Sequence, residues 1–261
     1  MDWTATLADL GLTTFAYIMV TLLGICIGSF CNVLIYRIPK HEEFVKTASH
    51  CMTCGHKLAW YDNIPLFSWI TLGGKCRYCK VKLSAQYPIV EAVNGLLWLL
   101  IVLTKGFSLE AFLLALMTTG LLALSVIDWR TFEIENGFHV FFIALAIVQL
   151  IADYRNWSQY IIGFFAVSIP LLLIYLLSGG TAIGGGDVKL MAACGLLIGW
   201  QNIVLALMIA CVVGSVIHLI RMKFFNAGRK LAMGPYLAIG IFMASLWGAQ
   251  FLTWYFTYLG I

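Results

Sequence analysis

Long apolar runs alternate with short polar segments along this chain, and the length of each run sets the first expectation. Leu10–Tyr36 is uncharged throughout, Leu83–Thr104 carries Glu91 alone, and Ala111–Ile127, Asn136–Ala152 and Asn156–Ser178 are uncharged in turn. About 20 residues of helix cross roughly 30 Å of hydrocarbon, so each run predicts a membrane span. The stretch Leu190–Ile220 reads either as one helix or as two divided at Gly199–Asn202. Two are expected, because one helix would put the basic segment Arg221–Lys230 on the opposite side from the basic segment after the first span. The first of the two, from Gly184, is then only about 16 residues, roughly 24 Å, and shorter than a full crossing. A last span runs from Met233 towards Tyr258. The expectation is an all-α polytopic membrane protein with about eight transmembrane helices. Its divisions are a first span over 1–36, a four-cysteine loop over 37–87 and a transmembrane core over 88–261.

Composition agrees with the pattern. With 62% hydrophobic and 11% charged residues and a mean hydropathy of +0.93, the chain is too apolar for a soluble domain of its length. No basic residue precedes the first run, so it reads as a retained span and not as a signal peptide. In the eight-span reading, all of the Lys and Arg residues except Lys105 and Arg155 fall on one side. The positive-inside rule makes that side cytoplasmic and both termini extracytoplasmic. The basic residues thus report topology, and no nucleic-acid partner is expected.

Of the eight cysteines, Cys26, Cys31, Cys194 and Cys211 lie singly in apolar runs, as small hydrophobes do. Cys51-x-x-Cys54 and Cys76-x-x-Cys79 instead have the spacing of a four-thiolate zinc site. On a cytoplasmic loop metal binding is the stronger reading than disulfides, and four committed thiolates make the metal structural. His50 and His56 flank the first pair, either as ligands of a variant site or as solvated loop residues.

Acids within apolar stretches are costly and few. Asp128 closes the third span, and Asp187 opens the sixth after Gly184-Gly185-Gly186. At one depth they can form a dyad in which one carboxylate activates water and the other polarises a carbonyl. The alternative is two interfacial acids that never meet, with Arg130 and Lys189 as lipid anchors. Glu91, near the start of the second span, either binds a cationic ligand or complements a helix terminus. His139 and His218, near span ends, are expected to find backbone or water partners. These residues alone leave a peptidase and a proton-coupled transporter both open, although no inverted repeat supports the transporter.

A resemblance narrows the choice. Gly28-Ser29-Phe30-Cys31-Asn32-Val33 with Arg37 and Pro39, the two cysteine pairs, Asp62-Asn63-Ile64-Pro65, Tyr87-Pro88 with Glu91, Asp128, the Gly-x-Gly-Asp of 184–187 and Gly234-Pro235 together resemble the bacterial type IV prepilin peptidases. The match runs in order through nearly the whole chain. It implies an inner-membrane aspartic endopeptidase that removes the short basic leader of type IV prepilins or pseudopilins on the cytoplasmic side after Gly, with Asp128 and Asp187 as the catalytic pair. It further implies N-methylation of the new N-terminus by S-adenosylmethionine, although a peptidase without that second activity stays open. No glycine fingerprint marks a site for this methyl donor, for which Glu91 is a candidate contact. Glu133, Glu135, Gly184 and Gly186 are expected to meet the substrate, the two acids by attracting its basic leader. One departure stands out: Ile134-Glu135 replaces the family's usual Ile-Pro.

Overall fold

The computed structural model describes residues 3–43, 48–225 and 231–259; Lys46, Arg229 and Lys230, assigned above to the basic side, lie outside them. The chain is helical, with two isolated β-bridges and no strand among the described residues. It separates into two compact units, Met1–Ala111 and Phe112–Ile261. Among the described residues six helical stretches are long and apolar enough to cross a bilayer, and one shorter apolar helix, Asn136–Ala152, accompanies them. The protein is a multi-pass membrane protein with the helix pattern that its hydropathy predicts.

The first unit holds α1 (Trp3–Arg37), the cysteine region with the short α2 (Phe67–Thr71), and α3 (Gln86–Lys105). Helix α1 is about 52 Å long and overshoots the hydrocarbon. Only 28% of its most apolar stretch is buried, and Leu12, Phe15, Ile18 and Leu22 point outward, as lipid-facing residues do. Helices α1 and α3 pack closely because glycines line the seam. A Cβ on Gly24 would come within 2.8 Å of the buried Trp98 ring, and one on Gly28 within 3.0 Å of Glu91 Cα. Asn94 seals this seam by donating to Gly24 O at 2.7 Å. Because α3 buries a face on α1, the compact unit ends at Ala111, one span beyond the boundary at Tyr87–Pro88 drawn from the sequence. Pro88 in the first turn of α3 gives up an N–H that a helix start does not use, and Gly106 (φ 72°) ends the helix.

The second unit holds α4 (Leu109–Thr131, beginning just before it), α5 (Asn136–Ala152), α6 (Trp157–Ala166), α7 (Ser168–Leu177), α8 (Gly185–Ile198), α9 (Trp200–Phe225) and α10 (Gly234–Leu259). Ser108 Oγ accepts the Ala111 N–H and caps α4. Helices α6 and α7 form one apolar stretch broken at Val167, since Pro170 has no N–H to offer the preceding turn. Leu190–Ile220 is two helices, as expected, with Gly199 (φ 82°) between them. Helix α8 spans only about 21 Å, yet it is the hub of this unit: it packs against α5, α6, α7, α9 and α10, and most of its residues are buried. Its closest neighbour is α6, where Gly163 and Gly195 face each other and a Cβ on either would strike the other's backbone.

Candidate functional site

Asp187 lies in the first turn of α8, and Asp128 in the last turns of α4. Both are buried, with exposures of 8% and 4%. Both acids belong to the second unit, and Asp187 lies close enough to Asp128 to feel its charge. Asp128 Oδ2 accepts the Gly234 N–H at 2.8 Å. Gly234 opens α10, whose free N–H groups favour an anionic partner. A Cβ at this glycine would stand 2.7 Å from the same oxygen, so the hydrogen bond requires glycine here.

The glycine run before Asp187 has a spatial reason of the same kind. None of Gly184, Gly185 and Gly186 adopts positive φ, so left-handed backbone is not why they are glycine. Gly184 is the N-cap of α8, and a Cβ there would sit 3.0 Å from Asp187 Oδ2. At Gly186 a Cβ would sit 2.9 Å from Ile134 Cβ, in the segment that follows Asp128. At Gly185 it would meet only Tyr175, at an ordinary 3.6 Å. Gly186 lets the two acid-bearing segments close on each other, Gly184 leaves room for the Asp187 carboxylate of its own turn, and the middle position has ordinary space for a side chain. His139 Nε2–H, on α5, donates to Gly186 O at 3.0 Å and ties this turn to a neighbouring helix, while its buried Nδ1 has no partner. The sequence leads to a backbone or water partner for His139, and only the fold identifies it as the glycine turn. His218 Nδ1, also buried, has none.

Lys189 Nζ donates to Asn136 Oδ1 at 3.1 Å, and no salt bridge to Asp128 or Asp187 occurs among the described residues. Glu133 is exposed and Glu135 half-buried, both in the segment joining α4 to α5. Glu135 has φ −66°, the angle a proline ring imposes. The departure from the family's Ile-Pro therefore leaves the backbone at that residue as proline would set it.

In the first unit, the four predicted cysteines form two matching knuckles. Each begins with a β-bridge, His50 to Lys57 and Lys75 to Lys82. In each, the residue after the second cysteine is left-handed, Gly55 (φ 68°) and Lys80 (φ 59°). All four Sγ atoms lie within 4.8 Å of one another, with Cys51 Sγ and Cys79 Sγ 3.8 Å apart. Zn–S bonds of about 2.3 Å in a tetrahedron place sulfurs roughly 3.8 Å apart, so the quartet fits a zinc ion. The N–H groups of Cys54 and Thr53 pull the Cys51 thiol down to about 6, towards the thiolate that binds metal. His50 and His56 stand outside the quartet, and the His56 ring lies on Tyr78 with centroids 3.5 Å apart. Glu91 is buried and accepts the Leu66 N–H at 2.7 Å, so it fixes the segment before α2 and does not complement its own helix terminus.

Two family models match the chain. The Bacterial Peptidase A24 N-terminal domain covers residues 22–105, and the Type IV leader peptidase family covers residues 115–219. Similar relatives named prepilin leader peptidase/N-methyltransferase occur in Stutzerimonas stutzeri (34% identical, over 87% of this chain and 89% of the relative) and Pseudomonas aeruginosa (32%, over 94% and 95%). Another, in Pseudomonas putida, is 31% identical over 89% of this chain and 91% of the relative. No solved structure matches the chain.

Proposed function

This chain belongs to the type IV leader peptidase family, and from that premise we propose that it cleaves prepilins or pseudopilins and methylates the N-terminus it exposes. The cut falls after Gly, at the end of the short basic leader, on the cytoplasmic side of the inner membrane. The cysteine loop faces the cytoplasm too, and both termini lie outside it. What supports the reading is that Asp128 on α4 and Asp187 on α8 are two buried acids, the second within reach of the first one's charge, with no cation partner among the described residues. In that arrangement the pair shares a proton: the ionised carboxylate takes a proton from water, and the protonated one donates to the scissile carbonyl oxygen. The Gly234 N–H holds one Asp128 oxygen in place. Glu133 and Glu135 attract the basic leader, and the outer glycines of 184–186 leave room for an extended substrate backbone.

Zinc, held by Cys51, Cys54, Cys76 and Cys79, organises a loop with too little core to fold alone. S-adenosylmethionine, when bound, supplies an activated methyl group to the new α-amine. Purified enzyme incubated with a prepilin should yield a product lighter by the leader. With the methyl donor present, the product should gain one methyl group by mass. Uncut prepilin, with enzyme shown to be folded, would sink the reading.

A further inference from the structure

Between the two knuckles of the first unit, the helical turn Trp60–Asn63 packs against α2, and α2 leaves one face open. Ser68 and Trp69 are half-buried, whereas Phe67, Ile70 and Thr71, spaced three and four apart, share the other face and are exposed. Phe67 and Ile70 are 62% and 67% exposed, as much as Ile89 and Leu96 on the spanning α3 (58% and 61%). Trp60, on the adjoining turn, is more exposed still. An apolar face of this kind marks a contact with something else.

Its depth says what covers it. Leu66 donates its N–H to Glu91 Oε2 at 2.7 Å. Helix α3 has 20 residues, about 30 Å, which is the thickness of the hydrocarbon layer. Glu91 stands five residues after Gln86, about 8 Å along that length, so Leu66 and Phe67 lie deeper than the start of the span. Near this level the two long helices already expose apolar side chains, Ile89 on α3 and Phe30 on α1, close to the Gly28 that approaches Glu91 Cα. Leu66 has φ 59°, an angle that leucine adopts only where its surroundings impose it, so the depth of the segment is fixed. Its polar groups need no water: the N–H groups of Phe67, Ser68 and Ile70 reach Pro65 O, Ile64 O and Leu66 O, and Thr71 Oγ1 turns back to Phe67 O at 2.9 Å. The flanking knuckles add Lys57, Lys75, Lys80 and Lys82, exposed and in no salt bridge among the described residues. Lys82 is four residues before α3 and so close to the headgroups. Positive charge there attracts anionic lipid and repels a basic leader peptide.

The geometry points to a membrane-surface anchor in the middle of the cysteine region. Helix α2 lies along the bilayer interface with Phe67 and Ile70 among the upper acyl chains, Trp60 at the headgroups and the knuckle lysines on anionic phosphates. The region is thereby held to the membrane at its centre as well as at its two ends, whatever reaction the second unit performs.

The test places the full chain in nanodiscs of phosphatidylethanolamine and phosphatidylglycerol with a trace of lipid carrying a diazirine on its upper acyl chain. After irradiation and tryptic digestion, label is mapped by mass. Cuts at Lys57, Lys75, Lys82 and Lys105 release a peptide of residues 58–75, which holds the whole face and no part of the six apolar spans, and one of residues 83–105, which holds α3. Label per residue on 58–75 should come within about threefold of that on 83–105, as for side chains that share the acyl region. Replacing both apolar residues, Phe67→Ser with Ile70→Ser, should lower label on 58–75 by about threefold or more and leave 83–105 unchanged, at an unchanged thermal midpoint. The unaltered protein decides the question even where that variant is unstable: 83–105 labelled with 58–75 bare overturns the anchor. Undiminished label in the folded double variant overturns it too. Displacement of the label by a saturating processed pilin peptide would assign the face to substrate and overturn the lipid reading.

Discussion

Among the described residues each compact unit buries two acids, and the two pairs differ in what answers them. In the first, Asp62 meets the Arg77 guanidinium and Glu91 meets the Leu66 N–H, a residue held at φ 59°. In the second, Asp128 is met by the backbone of Gly234, and Asp187 stands against the glycine turn and the charge of Asp128. The burial is alike, from 4% to 9% exposure, so burial alone does not separate these acids by role. The neighbours do. A guanidinium holds Asp62 in place and a backbone N–H holds Glu91, which suits fixing a loop. Asp128 and Asp187 have no cation partner among the described residues, and two acids close enough to share a proton would suit hydrolysis.

The sharpest way to break this comparison is to remove the ability to share a proton. Asp128→Asn and Asp187→Asn should each lower cleavage by roughly 10⁴-fold or more, and the double variant should be no worse than either. Methylation of an already cleaved pilin should survive in all three, as read by product mass. Substantial cleavage by either single variant in folded protein would return both acids to a structural role. The remaining wild-type activity should follow a bell-shaped pH profile whose limbs belong to the pair.

A smaller loss should come from pushing the two acid-bearing segments apart. Gly186→Ala sets a methyl against Ile134, and Gly234→Ala sets one against the Asp128 carboxylate. Misplacement of about 1 Å can cost roughly 100-fold, so turnover should fall by that order in both. Gly185→Ala should stay within about threefold of wild type, because the position is open and Ala favours the helix it begins. Equal losses at all three positions, measured as kcat, would show that the turn needs flexibility and not space.

In the first unit, Cys51→Ser should abolish stoichiometric zinc by elemental analysis and speed proteolysis of the loop. Methylation should suffer more than cleavage, since Asp128 and Asp187 belong to the other unit. Protein that carries no metal even with all four cysteines would remove the zinc assignment. Replacing Glu133 and Glu135 together with Gln should raise KM a few-fold and flatten its dependence on salt, with kcat nearly constant. Unaltered kinetics at low ionic strength would leave these acids as solvated loop residues. The smallest effect concerns Lys80, whose left-handed φ of 59° matches that of Gly55 in the sister knuckle. Lys80→Gly should stabilise the loop by about 1 kcal/mol, detectable as slower proteolysis.

Sequence by itself determined the helices, because a span is written locally as a run of apolar residues. Asn136–Ala152 appears as predicted, and Leu190–Ile220 breaks at Gly199, where a left-handed angle interrupts the hydrogen-bond ladder. The cysteine quartet was equally legible, since two short motifs carry all four thiols and their turns are local. Asp128 and Asp187 could be singled out because ionisable groups in apolar runs are costly anywhere. Tertiary structure decided the partners. That Gly234, 106 residues away, supplies the N–H for Asp128, that His139 holds Gly186, and that Gly184 and Gly186 but not Gly185 exclude a side chain all depend on helices meeting at a few ångströms. Such contacts leave no periodic trace in the chain, because close packing acts between surfaces whose residues are far apart in sequence.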